Sequence, residues 1–338
     1  MKEGYKTIKV DLEDGVAVFT MDNPPVNQLS QHFVEELAEA FTAAYGDEEI
    51  KAIVLIGSGK NFIAGADITQ IKDVKTKDEL LPKLKQNNQF LNSIETGPKP
   101  VLAAINGNCL GGGLEIAMAC HYRVAAQGVN LGQPEVQIGL IPGAGGTQRL
   151  PRLVGLRYGL EMITIGKPIR AEVAHTRGLV DEVAQPDQLV NLAVKAAKRF
   201  MAGEINIKLR TTRNRHDRLP SAAEKKGMIE IAKVMTAAQA KGYIAPFKAI
   251  EAFEKGLGYD IDADIETEAE LFADCVVSDV AKNLINIFLN TRAAGKLPHI
   301  EGLEPAKIKK VGMLGGGVMG TGIVNVLLKT GFDAVLWE

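Results

Sequence analysis

The chain has 338 residues, of which 46% are hydrophobic and 24% charged, and a formal charge of −2. That length allows a full core and more than one domain, while the balanced charge offers no basic excess to attract nucleic acid and no overall excess to attract a membrane. Three cysteines, Cys109, Cys120 and Cys275, lack Cys-x-x-Cys spacing, which argues against a disulfide framework or zinc ribbon and for a reducing compartment.

The start, Met1 to Lys6, leads into alternating strand residues with no signal-peptide core, so secretion is not expected. Tyr5 to Met21 alternates as a hairpin about Asp14-Gly15, and Pro24-Pro25 closes it. Phe33, Leu37, Ala40, Phe41 and Ala44 recur at helical spacing, and Ile50 to Ile56 reads as a buried strand. Asn61 to Asp67 is a glycine turn, with Asp67 capping a short helix over Ile68 to Ile71. Lys77 to Ile94 reads as a helix and Lys99 to Ile105 as a strand. Gly139 to Gln148 holds too many glycines for regular structure. Helices are then expected over Leu156 to Ile165, Ala171 to Arg177 and Asp187 to Met201, with a short strand at Val180 to Val183. This alternation predicts an α/β core with crossover connections over residues 1–202.

From Gly203 onward a helical extension and linker is expected to about residue 305. Lys208 to Arg218 is a basic run, Ala222 to Gln239 and Pro246 to Gly256 read as helices, and one long helix is expected from Glu266 to Ala294. Leu271, Val276, Val280, Leu284 and Phe288 form an apolar stripe on it that wants a partner surface. Leu297 to Lys310 reads as a linker. Residues 306–338 begin again with a strand and the fingerprint Gly315-x-Gly317-x-x-Gly320, then a helix and a strand ending in Glu338, which is the opening β-α-β of a dinucleotide (Rossmann) fold. The uncharged run 311–328 nears the lower length limit of a membrane span, but its six glycines fit the fingerprint and not a bilayer. Two strands and one helix cannot cover both faces of a parallel sheet, so the chain is expected to be cut from a longer one.

The chain is organised around Asn106 to Glu115. A buried strand feeds three consecutive glycines, Gly111 to Gly113, and a helix begins at once, leaving bare backbone N–H groups where an oxyanion can be held. Glu115 hangs in the first turn beside those donors. Twenty residues on, Gly132-Gln-Pro-Glu135 supplies a second carboxylate. Two carboxylates and a bare amide are the parts of a proton-transfer site beside a carbonyl.

Phe62 to Asp67, Asn106 to Glu115, Gly132 to Glu135 and Ile141 to Arg149 together resemble the crotonase, or enoyl-CoA hydratase, family. The extension and glycine fingerprint resemble the multifunctional enzymes of fatty acid β-oxidation, in which a hydratase/isomerase half precedes an NAD-dependent 3-hydroxyacyl-CoA dehydrogenase half. The resemblance implies that the N–H groups of Ala66 and Gly112 bind a thioester oxygen, that Glu115 and Glu135 flank a water also held by the Gly143 N–H, and that Ala64, Ala66, Asp67, Ile68, Thr69 and Gly112 line the acyl-CoA path. Hydration then needs no cofactor, CoA enters as the substrate's thioester, and NAD belongs to the dehydrogenase half, where Gly315, Gly317, Gly320 and Glu338 would meet it. Isomerisation of enoyl-CoA through Glu135 and a non-catalytic acyl-CoA-binding piece are the alternatives. A homo-oligomer, or in full length a complex with a thiolase, is the implied assembly, and the apolar stripe favours linker helices packing where a neighbouring subunit would. The basic run is expected to be a solvated face, with CoA phosphates as the other reading. The histidines lack ligand spacing, and Cys109 and Cys120 read as small buried hydrophobes.

Overall fold

A computed structural model describes residues 4–240, 242–294, 303–304 and 306–338. It divides into two units, Met1–Leu289 and Asn290–Glu338.

In chain order the first unit runs β1 (Ile8–Glu13), β2 (Val16–Met21), α1 (Gln31–Gly46), β3 (Ala52–Gly57), β4 (Asn61–Ile63), α2 (Lys77–Thr96), β5 (Val101–Ile105), β6 (Asn108–Leu110) and α3 (Gly112–Ala119). It continues through β7 (Tyr122–Ala126), β8 (Asn130–Gly132), α4 (Gly146–Val154), α5 (Leu156–Ile165), β9 (Ile169–Arg170), α6 (Ala171–Arg177), β10 (Glu182–Ala184) and α7 (Leu189–Met201). The extension adds α8 (Ile207–Arg210), α9 (Ala222–Gln239), α10 (Ala245–Lys255), α11 (Ile261–Val276) and α12 (Asp279–Ala294).

Six strands form one sheet in the order β1-β2-β3-β5-β7-β10, parallel except for the β1–β2 hairpin. Its central strands are apolar throughout because both faces are covered. Val54, Leu102, Ala104 and Val124 pack with Leu189, Ala193, Ala197 and Phe200 of α7. The opposite face, with Phe19, Ile53, Leu55 and Ala103, joins the main core with Phe33, Leu37 and Phe41 of α1 and Ile116 and Met118 of α3. A second sheet, β4-β6-β8-β9, is built from the short strands that follow β3, β5 and β7. A ladder of side-chain amides pins its register, with Asn130 Nδ2 donating to Asn108 Oδ1 at 3.2 Å and Asn108 Nδ2 to Asn61 Oδ1 at 2.9 Å.

The single helix expected over Glu266 to Ala294 is two. Asp260 caps α11 through the amides of Asp262 and Ala263, starting it earlier than the apolar stripe suggested. Ser278 divides the two helices, its hydroxyl donating to Cys275 O at 2.6 Å and accepting from the Ala281 amide at 3.1 Å, so one side chain ends a helix and caps the next. On α12 the fully buried residues are accordingly Ala281 and Ile285, not Leu284 and Phe288. Half of the linker expected over 297–310, residues 297–302 and 305, falls outside the described residues.

The basic run is only in part a solvated face: Lys208 and Arg218 are exposed, but the arginines between them turn inward. Arg210 pairs with Asp181, Arg213 with Glu95 and Asp262, and Thr212 is buried with its hydroxyl donating to Met118 O at 2.8 Å. Long Arg stems reach buried acids from polar-looking sequence, which local spacing cannot reveal. Cys109, Cys120 and Cys275 are buried free thiols.

The second unit holds β11 (Lys310–Leu314), α13 (Val318–Lys329) and β12 (Asp333–Trp337), with the two strands parallel.

Candidate active site

The chain leaves β5 at Asn106, whose side chain accepts from Gly57 N at 3.0 Å and donates to Gly57 O at 2.8 Å, tying the ends of β3 and β5. After β6 it turns through Gly111 at φ 53 and ψ −127, a conformation open to glycine. A Cβ there would also lie 2.9 Å from Glu135 Oε1. Helix α3 starts at the next residue and turns Glu115 inward, leaving it 3% exposed.

Two amides meet beside this carboxylate. Leu29 and Ala66 form a parallel bridge in which Leu29 N donates to Gly65 O at 3.0 Å and Asp67 N donates to Leu29 O at 3.2 Å. In that pattern the Ala66 N–H turns away from Leu29. Gly112 lies nearby: a Cβ built there would be 3.9 Å from Ala66 N and 3.9 Å from Glu115 Oε2. The Gly112 N–H stands at the first position of α3, where helix amides have no internal acceptor. What a side chain at 112 would meet first is Leu29, whose Cδ1 would stand 2.8 Å from that Cβ.

Glu135 opens a short 3-10 turn, Glu135–Ile138, and keeps partial contact with solvent. The Gln133 side chain bridges the site: with its amide nitrogen toward Glu135 it donates at 2.9 Å to Oε1 and 3.2 Å to Oε2, while its far side lies close to Gly146. Burial raises the pKa of Glu115, opposed by the amides of Ala144 and Gly146, the charge of Arg149 and the Gly143 amide. Burial raises Glu135 further, and the neighbouring Glu115 carboxylate adds to it. Both acids are thus raised, Glu135 more strongly, so Glu135 holds its proton to higher pH than Glu115 does.

The loop after Ile141 holds Glu115 in place. Ala144 N and Gly146 N donate to Glu115 Oε1 at 2.8 and 2.9 Å. Gly143 packs against Phe272 of α11, whose Cδ2 would stand 2.8 Å from a Cβ at that position. Helix α11 also carries a third acid that the sequence reading passed over, Glu268. Gly145 N reaches it at 2.5 Å and Thr147 N at 2.7 Å, and its side chain is 0% exposed. The available signal was an acid between Ile265 and Phe272, on the apolar face of an amphipathic helix.

Of the other expected residues, Ala64 N donates to Val26 O at 3.2 Å, and Asp67 caps a turn over Ile68–Gln70 by accepting from Thr69 N at 3.1 Å. Ala66 and Thr69 are exposed along this rim. Gly315, Gly317, Gly320 and Glu338 lie in the second unit. There Gly315 takes φ 91, a Cβ on Gly320 would run into Gly315 O, and the Glu338 carboxylate lies against Gly316. Among the described residues no helix is long and apolar enough to cross a membrane.

The fold is of the crotonase class, with parallel strands of two sheets leading into helices and glycine turns at their ends. The chain belongs to the enoyl-CoA hydratase/isomerase family, whose pattern matches residues 11–288. It is 39% identical to the glyoxysomal fatty acid beta-oxidation multifunctional protein MFP-a of Brassica napus, over 99% of this chain and 46% of that protein. It is 40% identical to the fatty acid oxidation complex subunit alpha of Shewanella frigidimarina, over 93% of this chain and 45% of the relative. The chain thus spans about half the length of the curated relatives it matches. Among solved structures, an enoyl-CoA hydratase from Bacillus anthracis superposes with a TM-score of 0.55 at 27% identity, covering 85% of this chain and 97% of that one. A human mitochondrial delta3-delta2-enoyl-CoA isomerase gives a TM-score of 0.63 at 22% identity over 86% of this chain and 100% of its own, a likeness of fold alone.

Proposed function

We propose that this chain adds water across 2-enoyl-CoA thioesters to give 3-hydroxyacyl-CoA, a step of fatty acid β-oxidation. The observation that carries the reading is the placing of two carboxylates, the buried Glu115 and Glu135 beside Gly111, close to the amides of Ala66 and Gly112. The thioester oxygen accepts from those two N–H groups. Negative charge gathers on that oxygen as the double bond is attacked, and preorganised donors stabilise the transition state more than the ground state. Glu115 takes a proton from water as its oxygen bonds to the beta carbon; the electron pair of the double bond moves toward the carbonyl, and Glu135 delivers its proton to the alpha carbon. Atoms and charge balance: water is added whole, and one proton has passed from Glu135 to Glu115. The Gly143 amide, which already acts on Glu115, is assigned to hold the same water. Ala64, Ala66, Asp67, Ile68 and Thr69 are assigned to the acyl-CoA path, supported by the exposure of Ala66 and Thr69 and the half-burial of the other three.

Shifting a double bond needs only one carboxylate to carry a proton between carbons, so isomerisation through Glu135 is a second reaction of the same groups. The amides that keep Glu115 ready as a base favour hydration as the main one. Incubation with 2-enoyl-CoA should bleach the conjugated thioester absorbance. If that absorbance stays and instead grows from 3-enoyl-CoA, the isomerase reading takes its place; binding without either change would leave an acyl-CoA-binding piece.

In the second unit, Gly315, Gly317, Gly320 and Glu338 have the glycine turn and strand-end acid that fit NAD, which when bound supplies a hydride acceptor. We assign to the whole protein the dehydrogenation of the hydroxy product, association with other copies or a thiolase, and a reducing compartment, bacterial cytoplasm or peroxisome, in keeping with the names of its relatives.

A further inference from the structure

Four consecutive amides enter α4, and the loop deals them alternately to two buried carboxylates. Ala144 and Gly146 donate to Glu115 at 2.8 and 2.9 Å; Gly145 and Thr147 donate to Glu268 at 2.5 and 2.7 Å, and the Thr147 hydroxyl adds a third bond to Glu268 at 2.5 Å. Neither set can move without the other, because each peptide plane of one is bonded to a plane of the next. Glu115 comes from α3 in the β-rich core, whereas Glu268 comes from α11, more than a hundred residues further along.

We propose that Glu268 is a positioning residue for hydration: by holding Gly145 and Thr147 it aims the intervening Gly146 amide, and Ala144 before it, at Glu115, so that the helical extension completes the proton-transfer site. This rests on the hydratase reading of Glu115. Three facts carry it. Glu268 is fully buried, and both its oxygens are spent on this loop. Its helix presses the same segment at Ile265, Glu268 and Phe272, three positions on one face: Ile265 Cδ1 would stand 3.2 Å from a Cβ on Gly145, and Phe272 packs on Gly143. Arg149 closes the far side, its Nη1 donating to Ala144 O at 3.0 Å while Glu95 holds the guanidinium. The charged groups around Glu268 are therefore Glu115 on α3, Glu135 after β8, and Arg149 on α4 with its Glu95 partner on α2. Burial and the Glu115 carboxylate push the Glu268 pKa up to about 8.

Gly145 N donates to one oxygen of Glu268 and Thr147 N to the other, so a glutamine at 268 would set its NH₂ against a backbone N–H. In the whole chain, Glu268→Gln should lower kcat for crotonyl-CoA hydration by about 10- to 100-fold, the usual effect of losing a group that orients a functional one, with KM within about threefold. Added to Glu115→Gln, the same substitution should cost less than about twofold, since the group it aims at is gone. Glu268→Asp, which keeps two acceptor oxygens, should recover part of the loss. Thr147→Val removes one donor to Glu268 and none to Glu115, and keeps the test open if Glu268→Gln fails to fold; a fewfold loss of kcat is expected there. Hydrogen exchange at Ala144 and Gly146 gives a readout without turnover: both amides should lose protection in Glu268→Gln although neither bonds to residue 268. Unchanged kcat, or a loss that adds in full to Glu115→Gln, would overturn the proposal in an active enzyme. If wild type hydrates nothing, the hydratase reading fails separately, and retained protection at Ala144 and Gly146 would still overturn the positioning claim.

Discussion

On the proposed hydratase reading, Glu115 and Glu135 do opposite work because their surroundings differ. Amides from the loop before α4 keep Glu115 ready to accept a proton, while Glu135, facing that carboxylate, is held well above the usual range and keeps its proton. The pH dependence follows in sign. Below the Glu115 pKa the base is protonated and kcat/KM falls; above the higher Glu135 pKa the acid is spent and kcat/KM falls again. A bell-shaped profile is expected, with its acid limb displaced above pH 4.5, the ordinary glutamate value, and with the alkaline limb lost in Glu135→Gln as a low residual rate remains. A profile flat through neutral and alkaline pH in wild type would contradict the assignment of Glu135 as acid. At this scale much of the site was legible in sequence. Three glycines before a helix point to bare amides wherever they occur, and an acid in the next turn must lie beside them. Glu268 was not legible, because its partners Gly145 and Thr147 are 123 and 121 residues away and nothing local marks an acid for burial.

Among the elements, the junction of α2, α4 and α11 carries the charge inside the core. Arg149 and Glu95 are both 0% exposed and joined at 2.9 Å, with a second bond at 3.1 Å from Nε. Glu95 also accepts from Arg213 N at 2.6 Å, and Asp262 of α11 pairs with Arg213 at 2.9 Å. Removing one member of such a pair strands the other charge without water. Glu95→Ala should therefore destabilise the fold by about 3–5 kcal/mol, read as a lower denaturant midpoint with unchanged slope. Replacing Glu95 and Arg149 together by methionine should cost less than the single change, and an equal or larger cost would show that the pair, not its stranded half, is the source. Strand and helix positions were readable from periodicity, as with α9 at Ala222–Gln239. The division of α11 from α12 was not read from the sequence, because the apolar stripe runs across Ser278, the residue that caps the second helix. Arg210 and Arg213 of the basic run were misread for the reason that hid Glu268: their acids lie far off in sequence, Glu95 being 118 residues from Arg213.

For the whole molecule, the two units differ in what they bury. The core of the first is closed on both faces of its main sheet, whereas in the second Leu314, Val318, Met319 and Trp337 are 81%, 95%, 76% and 72% exposed. A two-stranded sheet with one helix has little independent stability. Amides of β11 and β12 should exchange with solvent well before those of β3 and β5, and calorimetry should detect no tight NAD binding by this chain; a micromolar dissociation constant would show that the glycine turn is already competent. Relatives of about twice the length carry the name multifunctional.

The most direct test is hydration of crotonyl-CoA, followed as loss of conjugated thioester absorbance by wild type, Glu115→Gln and Glu135→Gln. Wild type should turn over, and each substitution should reduce kcat by about a hundred- to ten-thousand-fold while substrate binding stays within a fewfold. A folded wild-type protein that leaves the absorbance intact, or turnover that survives both substitutions, would contradict a hydratase working through this pair.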